Sequence, residues 1–429
     1  MISSIKKRSN GLFLFIYLYS FLWAQTVSEI QIVGIKKTKE YVVKREIQHS
    51  KYHSLDSTLA TQDRDRIDNL GIFSDVQWKS IPLEDGSVIL QFSVTESWNN
   101  IKGAMPIYSE EYGWSVTGGY IIKNLGGRNQ MLEIGGSIGG QNNYGFQFFD
   151  PWIFGDHVSA EFELGKSTNN HLFLNLEKRV TSLSFGMGRY FNKYFRTKFE
   201  IEIEKKIFSE DITDTMNDDI YKYVSLFGSI GYDSRDVYSN PSKGIKIKNS
   251  LYGQIDHEST DKNRLVWNHS SSVFHTIVPG EKKVILGINL SNQLSWGNQN
   301  AVWLYYIGGG NSVRGWKMPS RKLYESNDQQ YRFGHHLIQS SVELRKVIIP
   351  KHATQYGNEI GLDIGLFFDV GMTSIELNEL MNQTPLFGTG FGMRIPMPMI
   401  GVLRLDYGWA FYEGKHIESS FHLAMGHRF

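Results

Sequence analysis

Residues 286–296 read Leu-Gly-Ile-Asn-Leu-Ser-Asn-Gln-Leu-Ser-Trp, in which apolar and polar side chains alternate. Successive side chains of a β-strand point to opposite faces, so the stretch predicts a strand with one apolar and one polar face. The pattern recurs in residues 158–164, 198–204 and 338–345. Such strands repeat from residue 98 onwards without a helical pattern between them.

The composition of the 429 residues fits a β-rich chain and argues against several functions. The 26 Phe, 22 Tyr, 10 Trp and 42 Gly are typical of many strands and turns. The 45 basic and 44 acidic residues form no basic stripe, so the charge gives no sign of nucleic-acid binding. The absence of cysteine excludes a disulfide framework, a cysteine-ligated zinc site and a thiol nucleophile.

The amino terminus has the pattern of an export signal. Lys6, Lys7 and Arg8 precede an apolar run over residues 12–23, which ends at Ala24. This predicts a signal peptide over residues 1–24, and the alternative is an uncleaved anchor. The run is too short to span a bilayer as a helix, and the sequence has no other apolar run of that length. A membrane protein with this sequence would therefore span as a β-barrel.

Two architectures share this strand pattern. In a soluble sandwich the apolar face packs against a second sheet, whereas in a transmembrane barrel it contacts lipid and the polar face lines a lumen. The export signal, the long run of strands and the alternation from Phe421 to a carboxy-terminal Phe429 favour the barrel. With spanning strands of roughly 10 residues, residues 98–429 have room for an antiparallel barrel of about 16 strands.

A separate small α+β domain is predicted over residues 25–97. The order is β-α-α-β-β, with strands at 27–33, 76–82 and 88–94 and helical spacing at 41–47 and 59–70. Residues 34–40, Gly-Ile-Lys-Lys-Thr-Lys-Glu, and residues 69–76, Asn-Leu-Gly-Ile-Phe-Ser-Asp-Val, resemble those of a POTRA domain. The length before residue 97 has room for a single such domain.

The whole chain resembles the BamA/TamA superfamily of outer-membrane assembly and translocation barrels. The resemblance rests on motifs in the expected order at residues 124–128, 149–155, 232–236, 241–244, 313–316, 343–345, 367–371 and 404–408. It implies a bacterial outer-membrane location, with the POTRA domain in the periplasm. It also implies an insertase or translocase for barrel or exported proteins, and the alternative is a passive pore or membrane anchor that keeps the fold without the activity.

Residues 308–316, Gly-Gly-Gly-Asn-Ser-Val-Arg-Gly-Trp, place one cation in a glycine-rich segment, called here the latch loop. Glycines let such a loop fold tightly inward. The resemblance implies a latch with Glu343 and Asp369 as partners of Arg314. Strand parity places both carboxylates on lumenal faces, where charge-assisted contacts are expected; the alternative is a loop that only plugs and stiffens the barrel. The predicted latch residues are Val313, Arg314, Gly315 and Trp316.

The resemblance further implies a lateral seam between the first barrel strand, within residues 99–108, and the last, residues 421–429. The predicted seam residues are Gly103 and Pro106 in the first strand and Phe421, Gly426 and Phe429 in the last. Glycine and proline weaken a strand ladder, which favours opening at this place. An opened seam would pair with an incoming strand; the alternative is an ordinary closed seam.

The expected partners are the outer-membrane bilayer, unfolded client proteins and, through the POTRA domain, periplasmic chaperones or accessory lipoproteins. The alternative for this domain is a cap that only braces the barrel mouth. A single POTRA domain departs from the family, whose main assembly protein carries several and whose two-partner secretion transporters carry two and a plugging helix. This departure argues against docking to a full assembly complex and against a helix-plugged channel.

No catalytic or cofactor chemistry is predicted. His335 and His336 would face opposite sides of a strand, which argues against a metal site. The glycines at residues 135–140 are followed by no helix, so they do not indicate a phosphate loop. No serine lies in a recognisable nucleophile motif, and the sequence therefore predicts a protein that is not an enzyme and needs no cofactor.

Overall fold

The computed structural model describes residues 25–155, 157–192, 194–210, 219–326, 328–353, 359–397, 401–426 and 428–429. The predicted signal peptide, residues 1–24, lies outside these ranges. Within the described ranges, no helix has the length and apolar character needed to cross a bilayer.

The amino-terminal domain has the predicted β-α-α-β-β order. Its elements are β1 (Val27–Val33), α1 (Glu40–Lys44), α2 (Ser57–Asp68), β2 (Phe73–Pro82) and β3 (Val88–Glu96). The strand order is β1-β3-β2, with β1 parallel and β2 antiparallel to β3. Asp56 caps α2 by accepting hydrogen bonds from two backbone N–H groups. The helices cover one face of the sheet, where Val42, Ile67, Leu90 and Phe92 are buried.

The remaining strands build the barrel, and the prediction of about 16 antiparallel strands is confirmed. The sheet order is β4 to β14 followed by β17 to β21. Two short strands, β15 and β16, pair with each other outside it. The strands are β4 (Asn100–Ser109), β5 (Gly113–Leu125), β6 (Gln130–Gly139), β7 (Asn142–Asp150), β8 (Val158–Asn170), β9 (Glu177–Tyr190), β10 (Phe195–Ser209), β11 (Asp219–Asp233), β12 (Gly244–Asp256), β13 (Arg264–Val278), β14 (Val284–Gly297), β15 (Tyr305–Tyr306), β16 (Phe333–Gly334), β17 (His336–Ala353), β18 (Glu359–Ser374), β19 (Leu386–Met397), β20 (Gly401–Tyr412) and β21 (Lys415–Met425).

The barrel strands carry their apolar side chains on the outside and their polar side chains on the inside, the reverse of a soluble protein. Large apolar residues lie on the outer surface, where Phe199 is 52% and Leu366 61% exposed. Polar residues are buried inside, where Ser225 is 0% and Glu343 4% exposed. An apolar outside around a polar interior is the arrangement of a transmembrane barrel, so the sandwich alternative is wrong.

A long segment between β14 and β17, residues 298–335, fills part of the lumen. It contains 3-10 helices at Ala301–Trp303 and Gln330–Arg332, the helix α3 (Arg321–Ser326) and the ribbon of β15 and β16. Two further 3-10 helices, Thr260–Lys262 and Leu377–Asn382, lie in other loops. Ile307, Val313 and Trp316 are fully buried and pack against residues of the barrel wall.

The amino-terminal domain is attached to two turns at the mouth of the barrel. Asn124, at the end of β5, donates to the Thr38 hydroxyl at 2.9 Å, and Gly127, in the turn between β5 and β6, accepts from the Lys39 N–H at 2.8 Å. Asn69 donates to the Asp236 carbonyl oxygen at 3.0 Å and accepts from the Tyr238 N–H at 2.8 Å, in the turn between β11 and β12. The two turns are six strands apart in an order of sixteen. The domain therefore extends across the mouth.

Candidate functional site

The latch loop lies inside the barrel with its backbone against β19 and β20. A Cβ added at Gly388 would lie 1.8 Å from the Arg314 carbonyl oxygen, so glycine is required for this approach. Gly315 has φ +97°, and a Cβ there would lie 2.6 Å from a backbone carbon of β20. The Trp316 indole N–H donates to the Phe387 carbonyl oxygen at 2.9 Å. Close backbone contact thus holds the loop in the lumen.

Arg314 is fully buried and contacts three carboxylates. Its Nε and Nη2 donate to the two oxygens of Asp369 at 2.7 and 2.9 Å, and its backbone N–H donates to the same group at 3.0 Å. Its Nη1 lies 3.0 Å from Glu343 and 3.4 Å from Asp406. The guanidinium carbon lies 3.7 Å from the centre of the Phe367 ring. Burial acts to lower the pKa of Arg314, but Asp369 and then Glu343 raise it above its ordinary value.

These contacts belong to a larger group of seven charged side chains, called here the charge cluster. Arg394 lies between two of the carboxylates, 2.9 Å from Glu343 and 2.7 Å from Asp406. Arg404 lies 3.0 Å from Asp406. Four guanidinium groups face three carboxylates, which leaves a net charge of +1. Each carboxylate contacts at least two cations, so none depends on a single partner. The members are Arg314, Arg394, Arg404, Arg428, Glu343, Asp369 and Asp406.

Arg332 lies in the same segment between β14 and β17 as the latch loop, and it holds the two ends of that loop together. Its Nε donates to the Ile307 carbonyl oxygen at 2.9 Å, before the loop, and its Nη2 donates to the Lys317 carbonyl oxygen, after the loop. Burial lowers the pKa of Arg332 to about 10. The two carbonyl contacts close the loop at its base.

The first and last barrel strands meet without a backbone ladder among their described residues. Every other neighbouring pair in the sheet order is joined by one. Gly103, with φ +141°, and Pro106 both lie in β4 as predicted. Phe421 lies in β21 and is 61% exposed on the outer surface.

The last strand begins and ends earlier in the chain than predicted, since β21 runs over Lys415–Met425 and Gly426 and Phe429 lie beyond its end. Gly426 has φ +80°, a left-handed turn that takes the chain out of the strand. Arg428 then pairs with Asp369 at 2.6 Å, and the Phe429 ring stacks on Phe274 at 5.8 Å between centres. The stacking of this half-buried ring and the ion pair of Arg428 explain why the tail leaves the strand.

The predicted residues of the latch loop and its two partners come together, but the sequence analysis missed most of the surrounding cations. Arg404 and Asp406 alternate with Leu405, so the parity argument used for Glu343 and Asp369 would have found them. Arg428 carries no such signal, because it is not in a strand. His335, outside the cluster, has its Nε2 3.0 Å from the Gln299 carbonyl oxygen.

Two models of protein families match the chain. One, described as the Omp85 superfamily domain, matches residues 124–429. The other, a POTRA model described as a surface antigen variable number repeat, matches residues 25–97. The first match covers more than half of the chain.

One curated relative and two solved structures are similar to the chain. The outer membrane protein assembly factor BamA of Neisseria meningitidis serogroup B is 23% identical over 344 residues, which are 72% of this chain and 42% of that protein. The chain thus spans less than half the length of this relative. BamA from Haemophilus ducreyi, lacking POTRA domains 1–3, has a TM-score of 0.57 at 14% identity, covering 94% of this chain and 84% of that one. CdiB from Acinetobacter baumannii has a TM-score of 0.53 at 12% identity, covering 94% and 74%. At these identities the structures show a shared fold.

Proposed function

Because this chain belongs to the Omp85 superfamily, we propose that it assists the assembly of β-barrel proteins, or the passage of proteins, at the outer membrane. Its barrel lies in a bacterial outer membrane and its POTRA domain in the periplasm. The seam, the latch loop and the POTRA domain would act by binding clients and by changing position, and the proposal needs no catalytic chemistry.

The observation that carries the proposal is the seam between β4 and β21. It is the place in the sheet order where neighbouring strands lack a backbone ladder among the described residues. In a bilayer, unpaired N–H and C=O groups cost several kcal/mol each, roughly, because lipid offers no partner. A client strand that pairs with the edge of β4 or β21 gains those hydrogen bonds at once. The seam would thus act as a template for β-strands entering the membrane.

The latch loop would set the state of the barrel interior during this process. Arg314 holds the loop to β17, β18 and β20 through carboxylates on three strands. When the loop is seated, these strands keep their present spacing. Release of the loop would allow these strands, which lie near the seam, to move. A loop that only stiffened the barrel would stay in place while the protein works, whereas a latch is released.

The filling of the lumen favours this function over a passive pore. The latch loop and the tail at residues 428–429 both occupy the interior, and the POTRA domain extends across the mouth. An open pore needs a continuous water path. We propose instead that the POTRA domain receives unfolded clients, and that accessory lipoproteins or chaperones contact it.

A cysteine lock tests the seam, and the chain has no cysteine of its own to interfere. Ser109→Cys and Ala424→Cys place one thiol on each side of the seam, lining one cavity. Ser229→Cys with Ser250→Cys is the matched control, because these residues already pair in the ladder between β11 and β12. The proteins are reconstituted in liposomes, and the folding rate of an added barrel client is measured under oxidising and reducing conditions.

We expect the oxidised seam lock to remove the acceleration of client folding, and the control disulfide to leave it unchanged. Unchanged acceleration with the seam locked would refute lateral opening. Liposomes that conduct ions but never speed client folding would instead support the passive pore.

For the latch loop, Arg314→Glu should remove the acceleration of client folding in a barrel that still migrates as folded without heating, and Asp369→Arg should restore part of it. If Arg314→Glu keeps full activity, the loop is only a stiffener.

A further inference from the structure

Glu110 directly follows the first barrel strand, and its carboxylate contacts both the latch loop and the last strand. Oε2 accepts a hydrogen bond from the Gly310 N–H at 2.8 Å. Oε1 accepts from the Leu423 N–H at 3.0 Å and lies 3.0 Å from His422 Nδ1. Within the described residues, every hydrogen bond that joins β4 or the turn after it to β21 involves this carboxylate. One carboxylate therefore links three segments that are 200 and more than 300 residues apart in sequence.

His422 completes a path from the seam back to the latch loop. It is buried, and its Nε2 accepts a hydrogen bond from the Gly315 N–H at 2.9 Å. Because Nε2 accepts, the neutral ring carries its proton on Nδ1, which donates to Glu110. Both ring nitrogens are thus used, one toward the loop and one toward the turn after β4.

We propose that Glu110 and His422 form a seam clasp, a pair of positioning residues that couples seating of the latch loop to closure of the seam. This inference rests on the proposed function, in which the seam opens. With the loop seated, its N–H groups at Gly310 and Gly315 hold the carboxylate and the imidazole in place, and Glu110 can then bind β21. When the loop leaves, both groups lose a partner and the contact across the seam is weakened.

Coupling of this kind acts in both directions. If the seated loop favours a closed seam, then an opened seam must favour release of the loop by the same free energy. A client strand that enters the seam would displace Leu423 from Glu110, and the displacement would loosen the loop. A side chain that only tied down the turn after β4 would stabilise one segment without this reciprocity.

Two cysteine reporters measure the two ends of the coupling. Ser312→Cys lies in the latch loop; the Ser312 hydroxyl is buried and has no hydrogen-bond partner among the described residues, so the exchange loses no hydrogen bond. Its labelling rate with a maleimide reports release of the loop. The pair Ser109→Cys and Ala424→Cys reports the seam, because its rate of disulfide formation falls as the strands separate. The full-length protein in liposomes is used without any client.

Glu110→Gln is the main variant, because the amide cannot accept all the hydrogen bonds that the carboxylate accepts. We expect it to raise labelling at Ser312→Cys and to slow disulfide formation at the seam, each by about tenfold, a change of roughly 1.4 kcal/mol. Glu111→Gln makes the same change one residue further on, at an exposed side chain, and should alter neither rate. An equal effect of the two variants would overturn the proposal, as would a change in only one reporter.

A double-variant cycle separates coupling from local stabilisation. Arg314→Met releases the loop, so it should slow disulfide formation at the seam in the parent and have no further effect beside Glu110→Gln. Equal slowing in both backgrounds means that loop and seam act independently, which refutes the clasp. If Glu110→Gln does not fold, His422→Gln replaces it, since its amide oxygen can keep the Gly315 bond while the bond to Glu110 is lost. It should slow the seam reporter and remove the effect of Arg314→Met.

The outcome is distinct from that of the client-folding assay. Coupled reporters in a protein that does not speed client folding would support the clasp and overturn the proposed function. Uncoupled reporters would overturn the clasp whatever the client assay shows.

Discussion

Asp369 is shared by two cations from different parts of the chain, and removal of both should cost more than the sum of the single removals. Arg314 comes from the latch loop and Arg428 from the tail, and Asp369 is 0% exposed. In Arg314→Met, Asp369 keeps Arg428, Glu343 keeps Arg394, and Asp406 keeps Arg394 and Arg404. No carboxylate is then left alone, and the cluster changes from a net charge of +1 to neutral.

The magnitudes follow from this count. Each single variant loses hydrogen bonds between charged groups, which are worth about 1.5–3 kcal/mol in net stability. In the double variant Asp369 keeps the Ser341 hydroxyl at 2.6 Å and the backbone N–H of residue 314 at 3.0 Å among its described partners, but no cation. A buried ion that loses its partners costs about 3–5 kcal/mol. We therefore expect the double variant to exceed the sum of the singles by at least about 1 kcal/mol, within the usual range for contacting residues.

The assay is urea unfolding of the barrel in phospholipid vesicles, followed by tryptophan fluorescence and by the faster gel migration of the unheated folded barrel. Adding Asp369→Asn to the double variant removes the buried charge and should recover part of the loss. Lys198→Met is the control partner for Arg314→Met, because Lys198 pairs with Glu161 at 2.6 Å and is not in the charge cluster. That combination should be additive within about 0.5 kcal/mol. Additivity of Arg314→Met with Arg428→Met would refute the shared role of Asp369.

Gly388→Ala should destabilise the barrel by about 1–3 kcal/mol in the same unfolding assay, because its methyl group would lie 1.8 Å from the Arg314 carbonyl oxygen. Gly228→Ala, with no atom within 4 Å of the added carbon, should leave the midpoint almost unchanged. In the POTRA domain, burial acts to raise the pKa of Glu96, but hydrogen bonds from backbone N–H groups of residues 36–38 lower it overall. A lowered folded pKa stabilises the domain above the unfolded carboxyl pKa of about 4.3, and this contribution is lost as the pH falls through the folded value. Hydrogen exchange over residues 25–97 should therefore be faster in Glu96→Gln at pH 7, with a difference that shrinks below about pH 4; a constant difference would contradict the reasoning.

The strand pattern predicts the barrel well because its period of two is a local property that survives whatever the strands pack against. The same parity predicts that Glu343 and Asp369 face the lumen, and it would have found Asp406. The parity argument fails after Met425, because the alternation that starts at Phe421 continues in the sequence to Phe429 although the strand does not. The left-handed turn at Gly426 is stabilised by the contacts of Phe429 with Phe274 and of Arg428 with Asp369, and both partners lie far away in sequence. A local pattern contains no information about such partners.

The seam clasp was hidden from the sequence for the same reason. Glu110 and His422 are 312 residues apart, and neither lies in a motif that carries the family resemblance. Closure of the barrel brings the two together, since closure places the first strand beside the last.

The shared carboxylate also bears on how the interior can rearrange. Release of the latch loop alone leaves Asp369 with Arg428, and release of the tail alone leaves it with Arg314, so either step keeps an ion pair in a fully buried site. Release of both leaves a buried carboxylate without a cation among the described residues. The loop and the tail should therefore leave the lumen in turn and not together. A seated loop is compatible with release of the tail, because Asp369 keeps Arg314 and the three cations that remain in the cluster balance its three carboxylates.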